Sequence, residues 1–267
     1  MLIRLFAALI IVCMLPCSSW AENITIRVTE LPTGNHQYFH ELLTHSLEDA
    51  GYTVTLQSLG VVPLKRSMEM FLSGETDIRW FHKAKTQELP LVPVRVDLTK
   101  DLIGKRILVI PKGQAQIYSH IENLQQFKQL GKVGGFGKGW YDVQVWRKNS
   151  LKFMEKDGDW RALYPMVASQ DRNVDYLSRG VGEILNEIKE KQDVEVESTL
   201  LFSYDSDFWF FLHPSARHLE PIIRNGLIKA QKSGLMDELI EKYWGKDLKE
   251  LKINQRTVLK LTAPAAE

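Results

Sequence analysis

Strand-like and helix-like patterns alternate along the first third of the chain. Residues 24–29 alternate between apolar and polar side chains and are rich in β-branched residues, which predicts a strand ending at Glu30. Apolar residues then recur every three or four positions up to about Ala50, which predicts an amphipathic helix. Gly51 follows at the position where a helix-ending glycine is expected.

The same succession continues beyond Gly51. Residues 52–59 predict a second strand, Pro63 begins a helix that extends to Gly74, and residues 76–81 predict a third strand. Short links in a β-α-β-α-β order favour a parallel sheet covered by helices. The predicted fold class is therefore α/β, with mostly parallel sheets.

The rest of the chain mixes both patterns. Residues 90–111 are strand-like and contain several prolines, and residues 105–113 are the clearest predicted strand there. Residues 197–214 predict two strands interrupted at 204–207. A glycine-rich strand and turn is followed by a helix that starts near Trp140. The helical patterns cover residues 122–131, 140–149, 157–169, 174–191, 218–234 and 235–245. The segment after Gly245 is polar, and we expect it to be loosely held.

Two crossings of the chain divide this pattern into two α/β lobes with two hinge connections. The strands near residues 105–111 and 198–203 are long enough to carry the chain out of a first lobe and back to it. A cleft between two lobes is a common place for a ligand. We assign residues 22–108 and 204–250 to lobe 1, residues 109–203 to lobe 2, and residues 251–267 to a C-terminal tail.

The first 21 residues have the organisation of a cleaved secretory signal peptide. Arg4 precedes an uninterrupted apolar run over residues 5–15, Pro16 ends that run, and Ala21 closes a small-x-small cleavage site. The run is too short to span a bilayer, which needs about 20 residues. Lipid attachment at Cys17 is the alternative, and the preceding proline disfavours it. We therefore predict export to the periplasm.

Removal of the signal peptide changes what the composition allows. Both cysteines, Cys13 and Cys17, leave with it, so the mature chain has no disulfide, thiolate metal site or cysteine nucleophile. The full chain has 34 basic and 33 acidic residues, and Arg4 is the only charged residue removed, so the mature chain has no formal net charge. A neutral exported protein lacks the broad basic surface that nucleic acid requires, and we expect no such partner.

Residues 132–142 (KVGGFGKGWYD) concentrate glycines in a way that invites a nucleotide-binding interpretation. A phosphate loop needs a hydroxyl residue after Gly-Lys, but Gly139 follows Lys138. The glycine after Gly135 and Gly137 also comes one residue too early for a dinucleotide fingerprint. We expect no cofactor. A glycine turn before a helix exposes backbone N–H groups that suit a carboxylate, and a tight connection without a ligand is the alternative.

Several segments, taken in order, form a pattern that covers nearly all of the mature chain. They are HELLTHSLEDAGYTVTLQSLG, SMEMFLSGETDIRWF, LIGKRILVIPKG, ENLQQFKQLGKVGGFGKGWYD and FWFFLHPSARHLEPIIRNGLIKAQKSGLMDELIEKYWG. This series resembles the bacterial extracellular solute-binding proteins of family 3, the amino-acid-binding type with a two-lobed type II periplasmic fold. The last segment is the most specific, because it is similar to the family's return to the first lobe and its final two helices.

The resemblance implies a binding protein rather than an enzyme. Such a protein closes two lobes over a small polar or anionic solute, such as an amino acid or another carboxylate. It serves an inner-membrane ABC permease or a separate sensor protein, and we expect this chain to be a monomer. In the family, the loop equivalent to Gly135, Gly137, Gly139 and Trp140 presents backbone N–H groups to the ligand.

The chain also departs from the family pattern in two places. Binders of α-amino acids carry a T-x-x-R element after the third strand, whose arginine pairs with the ligand carboxylate. Here Thr86 is present, but Leu89 stands where arginine is needed. The family's late acidic residue for the ligand amine is replaced as well, since Arg179 lies near its place. The chain therefore looks like a divergent member with altered specificity.

Three candidate ligand-binding residues of lobe 1 stand at the ends of predicted strands. Glu30 closes the first strand, and Arg79 and Trp80 lie near the end of the third. Ligands bind at the carboxyl edge of parallel sheets. An arginine is seldom buried there without a partner, and a tryptophan can stack on a flat ligand. Plain packing is the alternative for Trp80.

In lobe 2, Arg179 and Glu183 lie four residues apart at a predicted helix start. Gly180 and Gly182 have no side chains on the same face, so a solute could approach the backbone closely there. We expect Arg179 to form a bidentate pair with a solute carboxylate. A surface ion pair between the two residues is the alternative.

Trp140 and Tyr204 complete the candidate ligand-binding set. Trp140 follows the glycines, and Tyr204 lies where the second crossing re-enters lobe 1. Asp142 suits the first turn of a helix as a favourable charge. The rival enzymatic interpretation is a dehydratase-like or lyase-like reaction with Glu183 or Asp142 as general acid.

His36 and His40 have the spacing of a metal-binding pair on the first predicted helix. The sequence offers no evident third ligand and no H-E-x-x-H element. We therefore expect a solvated helix face and no metal.

Overall fold

The computed structural model describes residues 22–34, 36–84, 90–170 and 174–264. The predicted signal peptide and the segment with Thr86 and Leu89 lie outside these residues. Within them, no helix combines the length and the apolar character that crossing a membrane requires.

Helices and strands alternate through the described chain. The strands are β1 (Asn23–Glu30), β2 (Thr53–Val61), β3 (Ile78–His82), β4 (Val92–Val94), β5 (Lys105–Pro111), β6 (Gly134–Gly137), β7 (Phe153–Lys156), β8 (Tyr176–Gly180), β9 (Val194–Val196), β10 (Leu200–Ser203), β11 (Phe208–Leu212) and β12 (Thr257–Lys260). The helices are α1 (Gln37–Glu48), α2 (Leu64–Leu72), α3 (Leu124–Gln129), α4 (Tyr141–Lys148), α5 (Leu163–Ser169), α6 (Ile184–Ile188), α7 (Glu220–Ser233) and α8 (Leu235–Glu250).

Lobe 1 is built from β1–β4 and β11. β1 and β2 pair in parallel, and β11 pairs antiparallel with both β3 and β4. The amide of Asp77 donates to the carbonyl of Arg27 at 2.9 Å, which joins the two sheets. The apolar stripe of α1 packs with α7 and α8 into one core that includes Leu42, Phe210 and Leu227.

Lobe 2 is built from one larger mixed sheet. Its strand order is β12-β10-β5-β8-β6-β7, and β9 also pairs with β5. The two faces of this sheet carry separate apolar clusters, one around Trp146 and Phe202 and the other around Leu163 and Leu177. The chain therefore has a two-lobed α/β fold, as the sequence predicts.

The two crossings of the chain between the lobes touch each other. The Tyr204 amide donates to the Gly104 carbonyl at 3.2 Å. A side chain at position 104 would have no room, because a Cβ atom there would lie 1.9 Å from the Tyr204 carbonyl oxygen. Beside this contact, the buried Asp207 carboxylate accepts hydrogen bonds from the backbone amides of Thr99 and Asp101 at 2.9 and 2.8 Å.

The structure differs from the sequence prediction in three elements. Residues 176–180 form β8, whereas their pattern predicts a turn leading to a helix. The last helix continues through Gly245 to Glu250. The predicted loosely held tail instead forms β12, which pairs with β10, and Leu259 is buried there. Apolar residues at alternate positions of this segment reach the lobe 2 core and hold it in place.

Candidate functional site

The candidate residues of lobe 1 have different surroundings. Trp80 stacks on Phe39 with ring centroids 4.4 Å apart and packs against the lobe 1 core. Glu30 ends β1 with its side chain 37% exposed, and its carboxylate lies 3.9 Å from Nε2 of His36. Trp80 therefore has the environment of a core residue, whereas Glu30 remains open to solvent.

Arg79 lies on the opposite side of β3 from Trp80, since successive strand residues point to opposite faces. Its Nη1 donates to Ser67 of α2, whose hydroxyl is 2.5 Å from the hydroxyl of Thr29 at the end of β1. The residue is buried, and burial lowers the pKa of Arg79. The side chain is thus held under α2, close to the end of β1.

The glycine segment has mainly a packing role in this structure. Gly135 and Gly137 lie in β6, and Gly139 has a φ of 78° in the turn before α4. A Cβ atom at Gly135 would lie 2.8 Å from the side chain of Leu163. The amides of Lys138, Gly139 and Trp140 all donate to protein oxygens. The predicted N–H donor site is therefore already engaged at these three positions.

Gly137 makes room for the indole ring of Trp140, because a Cβ atom at position 137 would lie 2.4 Å from its Nε1. We expect Gly137→Ala to displace this ring and to lower the free energy of unfolding by about 1–3 kcal/mol. Urea unfolding followed by circular dichroism measures the loss. The matched control is the same substitution in a Trp140→Leu background, where the cost should be smaller. An equal cost in both backgrounds would contradict this role.

Arg179 is enclosed within lobe 2. Its guanidinium lies against the rings of Trp140 and Trp160, 4.8 and 4.5 Å from their centroids. Nε and Nη2 donate to both carboxylate oxygens of Glu187 at 2.6 and 2.5 Å, and Nη2 lies 2.8 Å from Glu183. Burial, the largest single effect, lowers the pKa of Arg179, but the hydrogen bond to Glu187 and the charges of Glu183 and Glu187 together raise it. The arginine is therefore already paired with carboxylates.

The Arg179–Glu183 pair also differs from the prediction in its geometry. Arg179 belongs to β8, and Glu183 directly precedes the short α6, so the two do not share a helix face. The Glu183 side chain is 55% exposed. The pair therefore lies at the end of a strand, where a Cβ atom at Gly180 would lie 2.7 Å from Nη1 of Arg106.

A second ionic group links the hinge to α4. Nε of Arg106 lies 2.7 Å from the Asp142 carboxylate and donates to the Tyr204 hydroxyl at 3.0 Å. This hydroxyl in turn donates to Asp142 at 2.8 Å. Burial, the largest single effect, lowers the pKa of Arg106, but Asp142, Tyr204 and Glu183 together raise it. Burial raises the pKa of Tyr204, which keeps its hydroxyl protonated and able to donate.

Side chains of the two lobes meet on both sides of the hinge. The rings of His82, at the end of β3, and Tyr141, at the start of α4, have centroids 4.2 Å apart. On α8, Trp244 approaches lobe 2 so closely that a Cβ atom at Gly182 would lie 3.0 Å from its indole. The lobes therefore contact each other through the aromatic rings of His82, Tyr141 and Trp244.

The histidine pair is not a solvated helix face as expected. His36 is buried, and its Nδ1 accepts the amide of Leu31 at 3.0 Å. Burial and the neighbouring His36 lower the pKa of His40 to about 4, so that His40 is neutral at physiological pH. With Nδ1 of His36 engaged, this arrangement gives no support to a metal pair.

Within the described chain, three carboxylates lie close enough to share one ion. They belong to Asp97, Asp101 and Asp205. Nζ of Lys83 already contacts Asp205 and lies 3.5 Å from Asp97. The ammonium group of Lys83 therefore provides positive charge beside these carboxylates, as a bound metal ion would.

The structure brings the candidates together in two groups. Trp140, Arg179 and Glu183 meet in lobe 2, whereas Glu30, Arg79 and Trp80 belong to lobe 1. Sequence reasoning missed several residues that contact the candidate residues or join the lobes, namely Ser67, His82, Arg106, Tyr141, Trp160 and Glu187. Arg106 had a visible signal, since it is a charged residue next to the apolar run ILVI.

Comparison with known proteins gives structural matches only. No family model matches the chain, and no curated protein matches it by sequence. The "probable amino-acid ABC transporter extracellular-binding protein ytmK" of Bacillus subtilis has a TM-score of 0.57 at 13% identity, over 85% of this chain and 100% of that one. The substrate-binding domain 2 of Lactococcus lactis GlnP, in an open conformation, has a TM-score of 0.51 at 15% identity, over 83% and 95% of the two chains.

A further structural match comes from Wolinella succinogenes. It is assigned as the binding component of an ABC transporter in complex with lysine, with a TM-score of 0.52 at 13% identity over 82% of this chain and 95% of that one. At such low identity these matches establish the fold alone. The chain has the two-lobed fold of the extracellular binding proteins of ABC transporters.

Proposed function

We propose that the chain is an exported, non-catalytic binding protein that captures a small polar or anionic solute between its lobes. The observation that carries this proposal is the hinge, where two adjacent crossings join lobes that meet through His82 and Tyr141. Solved proteins of this fold include one in complex with lysine. We therefore propose that the solute is amino-acid-like or another carboxylate.

The surroundings of the acidic residues favour binding over catalysis. Asp142 accepts from the Tyr204 hydroxyl and pairs with Arg106, and Glu183 pairs with Arg179. A general acid has to deliver its proton to a substrate within hydrogen-bond reach. Both carboxylates instead face arginines of the protein itself, which supports a structural role for them.

Ligand binding in this scheme shifts the protein towards a closed form. A membrane partner, either an inner-membrane ABC permease or a separate sensor protein, would then recognise the closed form. We propose that the protein is periplasmic, because the predicted signal peptide directs it to that compartment. We also propose that it is a monomer.

The test is native mass spectrometry of the exported protein as it is purified. We expect a bound small molecule that leaves on denaturation. When it is returned at about 100 times its Kd, it should stabilise the protein by about 2.7 kcal/mol. For a chain of this size that raises the Tm by roughly 5–10 °C.

A second measurement separates binding from closure. Small-angle scattering should show a smaller radius of gyration with the same compound than without it. If the protein carries no compound and a broad panel of metabolites leaves the Tm unchanged, the proposal is wrong.

A further inference from the structure

Arg79 differs from the other arginines that are buried in the described chain. Arg179 is paired with two carboxylates, and Arg256 donates to the carbonyls of Leu251, Glu197 and Leu200. Arg79 is 6% exposed, yet the only described protein atom to which it donates is the hydroxyl of Ser67. It is therefore a buried cation without an anion among the described residues.

The unused donors of Arg79 form one edge of its guanidinium. Nε is fully enclosed and has no hydrogen-bond partner, and the bond to Ser67 occupies Nη1 on the other side. A guanidinium offers Nε and Nη2 as a planar fork that matches the two oxygens of a carboxylate. Leaving a buried N–H of a charged group unsatisfied is costly, so a ligand that accepts from this edge would be bound favourably.

Two hydroxyl groups, those of Ser67 and Thr29, lie next to the guanidinium of Arg79 and add hydrogen-bonding capacity without adding charge. The Ser67 hydroxyl is 2.5 Å from the Thr29 hydroxyl, and both residues are buried. Burial lowers the pKa of Arg79, which fits a cation that has no ion pair among the described residues. The guanidinium thus lies beside two hydroxyl groups and carries one uncompensated positive charge, which suits a single negative charge.

We propose that Arg79, supported by Ser67 and Thr29, is the anion-binding subsite of this protein and that it takes the carboxylate of a monoanionic solute. This inference rests on the proposed solute-binding function and assigns the solute's charged group to lobe 1. It moves that role away from Arg179, whose guanidinium is occupied by Glu187 and Glu183.

The first experiment measures the Tm of the whole protein in sodium acetate and in sodium chloride at equal ionic strength, with acetamide as the neutral isostere. For the wild type we expect acetate to raise the Tm by about 2–4 °C over chloride and acetamide to have no effect. Arg79→Met should abolish the acetate effect. In acetate-free buffer this variant should also melt about 2–4 °C higher than the wild type, because it removes an unpaired buried charge.

Arg256→Met is the matched control for the removal of a buried arginine. It leaves three carbonyls without their donor, so its Tm should fall while the acetate effect stays intact. A Tm of Arg79→Met below the wild type with the acetate effect preserved would show that Arg79 is only structural. Acetate that fails to change the wild-type Tm would overturn the proposal as well.

A second readout separates this inference from the general function. The ¹⁵N-labelled protein should show one arginine Nε–H resonance that is missing in Arg79→Lys and that shifts on addition of acetate. If the co-purified compound is neutral or cationic and binds Arg79→Met as tightly as the wild type, solute binding stands and the anion subsite is wrong. If acetate shifts the resonance but no solute closes the lobes, the subsite stands and the capture mechanism is wrong.

Discussion

Replacing Arg106 with methionine is expected to lower the free energy of unfolding by about 2–4 kcal/mol. The side chain is only 15% exposed, and its Nε lies 2.7 Å from Asp142. Methionine would fill a similar volume but would leave the enclosed carboxylate with the Tyr204 hydroxyl as its remaining side-chain partner. An unpaired charge in such a place costs more than the ion pair itself contributes.

A double-mutant cycle tests this explanation. Asp142→Asn alone should also destabilise, because it leaves the Arg106 cation unpaired. The double variant Arg106→Met/Asp142→Asn should lose clearly less than the sum of both, with a coupling of about 2 kcal/mol. Urea unfolding followed by circular dichroism gives each value. Arg66 and Glu69, an exposed pair on α2, provide the control cycle, for which we expect no measurable coupling.

Additive losses in the Arg106–Asp142 cycle would contradict the explanation. In that case each side chain would act through its own packing, and the link between β5 and α4 would contribute little. Tyr204→Phe then offers an independent check. It removes the hydroxyl that bonds to both partners, and we expect a loss of about 1–3 kcal/mol.

Gly104→Ala is expected to cost about 3 kcal/mol, a large effect for one methyl group. The added Cβ atom would lie 1.9 Å from the backbone carbonyl oxygen of Tyr204. A flexible side chain could turn away from such a clash, but a backbone carbonyl cannot. The two crossings would have to separate, and the bond from the Tyr204 amide to the Gly104 carbonyl would lengthen.

Gly113→Ala is the control for Gly104→Ala. Gly113 has a φ of 82° and open space around its Cβ position, so alanine there meets only the strain of the left-handed region, about 1–2 kcal/mol. Both variants are compared by urea unfolding and by small-angle scattering. If Gly104→Ala is as stable as Gly113→Ala and has the wild-type radius of gyration, the crossings are less tightly packed than we infer.

The elements of lobe 1 were predictable because their patterns are local. The stripe of α1 and the alternation of β1 each have a polar side and an apolar side, which the sequence displays directly. β8 lacks such a contrast. All five of its residues are buried, including Ser178 and Arg179, so no alternation marks it as a strand. The sequence alone therefore favoured a helix in that region.

The candidate site was harder to predict than the fold. Glycines at 135 and 137 suggested exposed backbone donors, but close packing by Leu163 and Trp140 explains them. Arg179 had the right residue type, and its pairing with Glu187 depends on tertiary contacts that spacing does not reveal. Arg79 was found from its position at a strand end. Its lack of an anionic partner depends on the tertiary placement of α2 and β1 around it, which the sequence does not reveal.

The position of β12 has a consequence for the order in which the protein folds. This strand completes the lobe 2 sheet next to β10, yet it follows α7 and α8, which belong to lobe 1. A growing chain therefore offers most of lobe 2 before its last strand. Lobe 1 is complete only after α8, and lobe 2 only after β12, which follows α8. Contacts between such distant segments slow folding. Neither lobe should reach its final stability before these last elements of the chain are available.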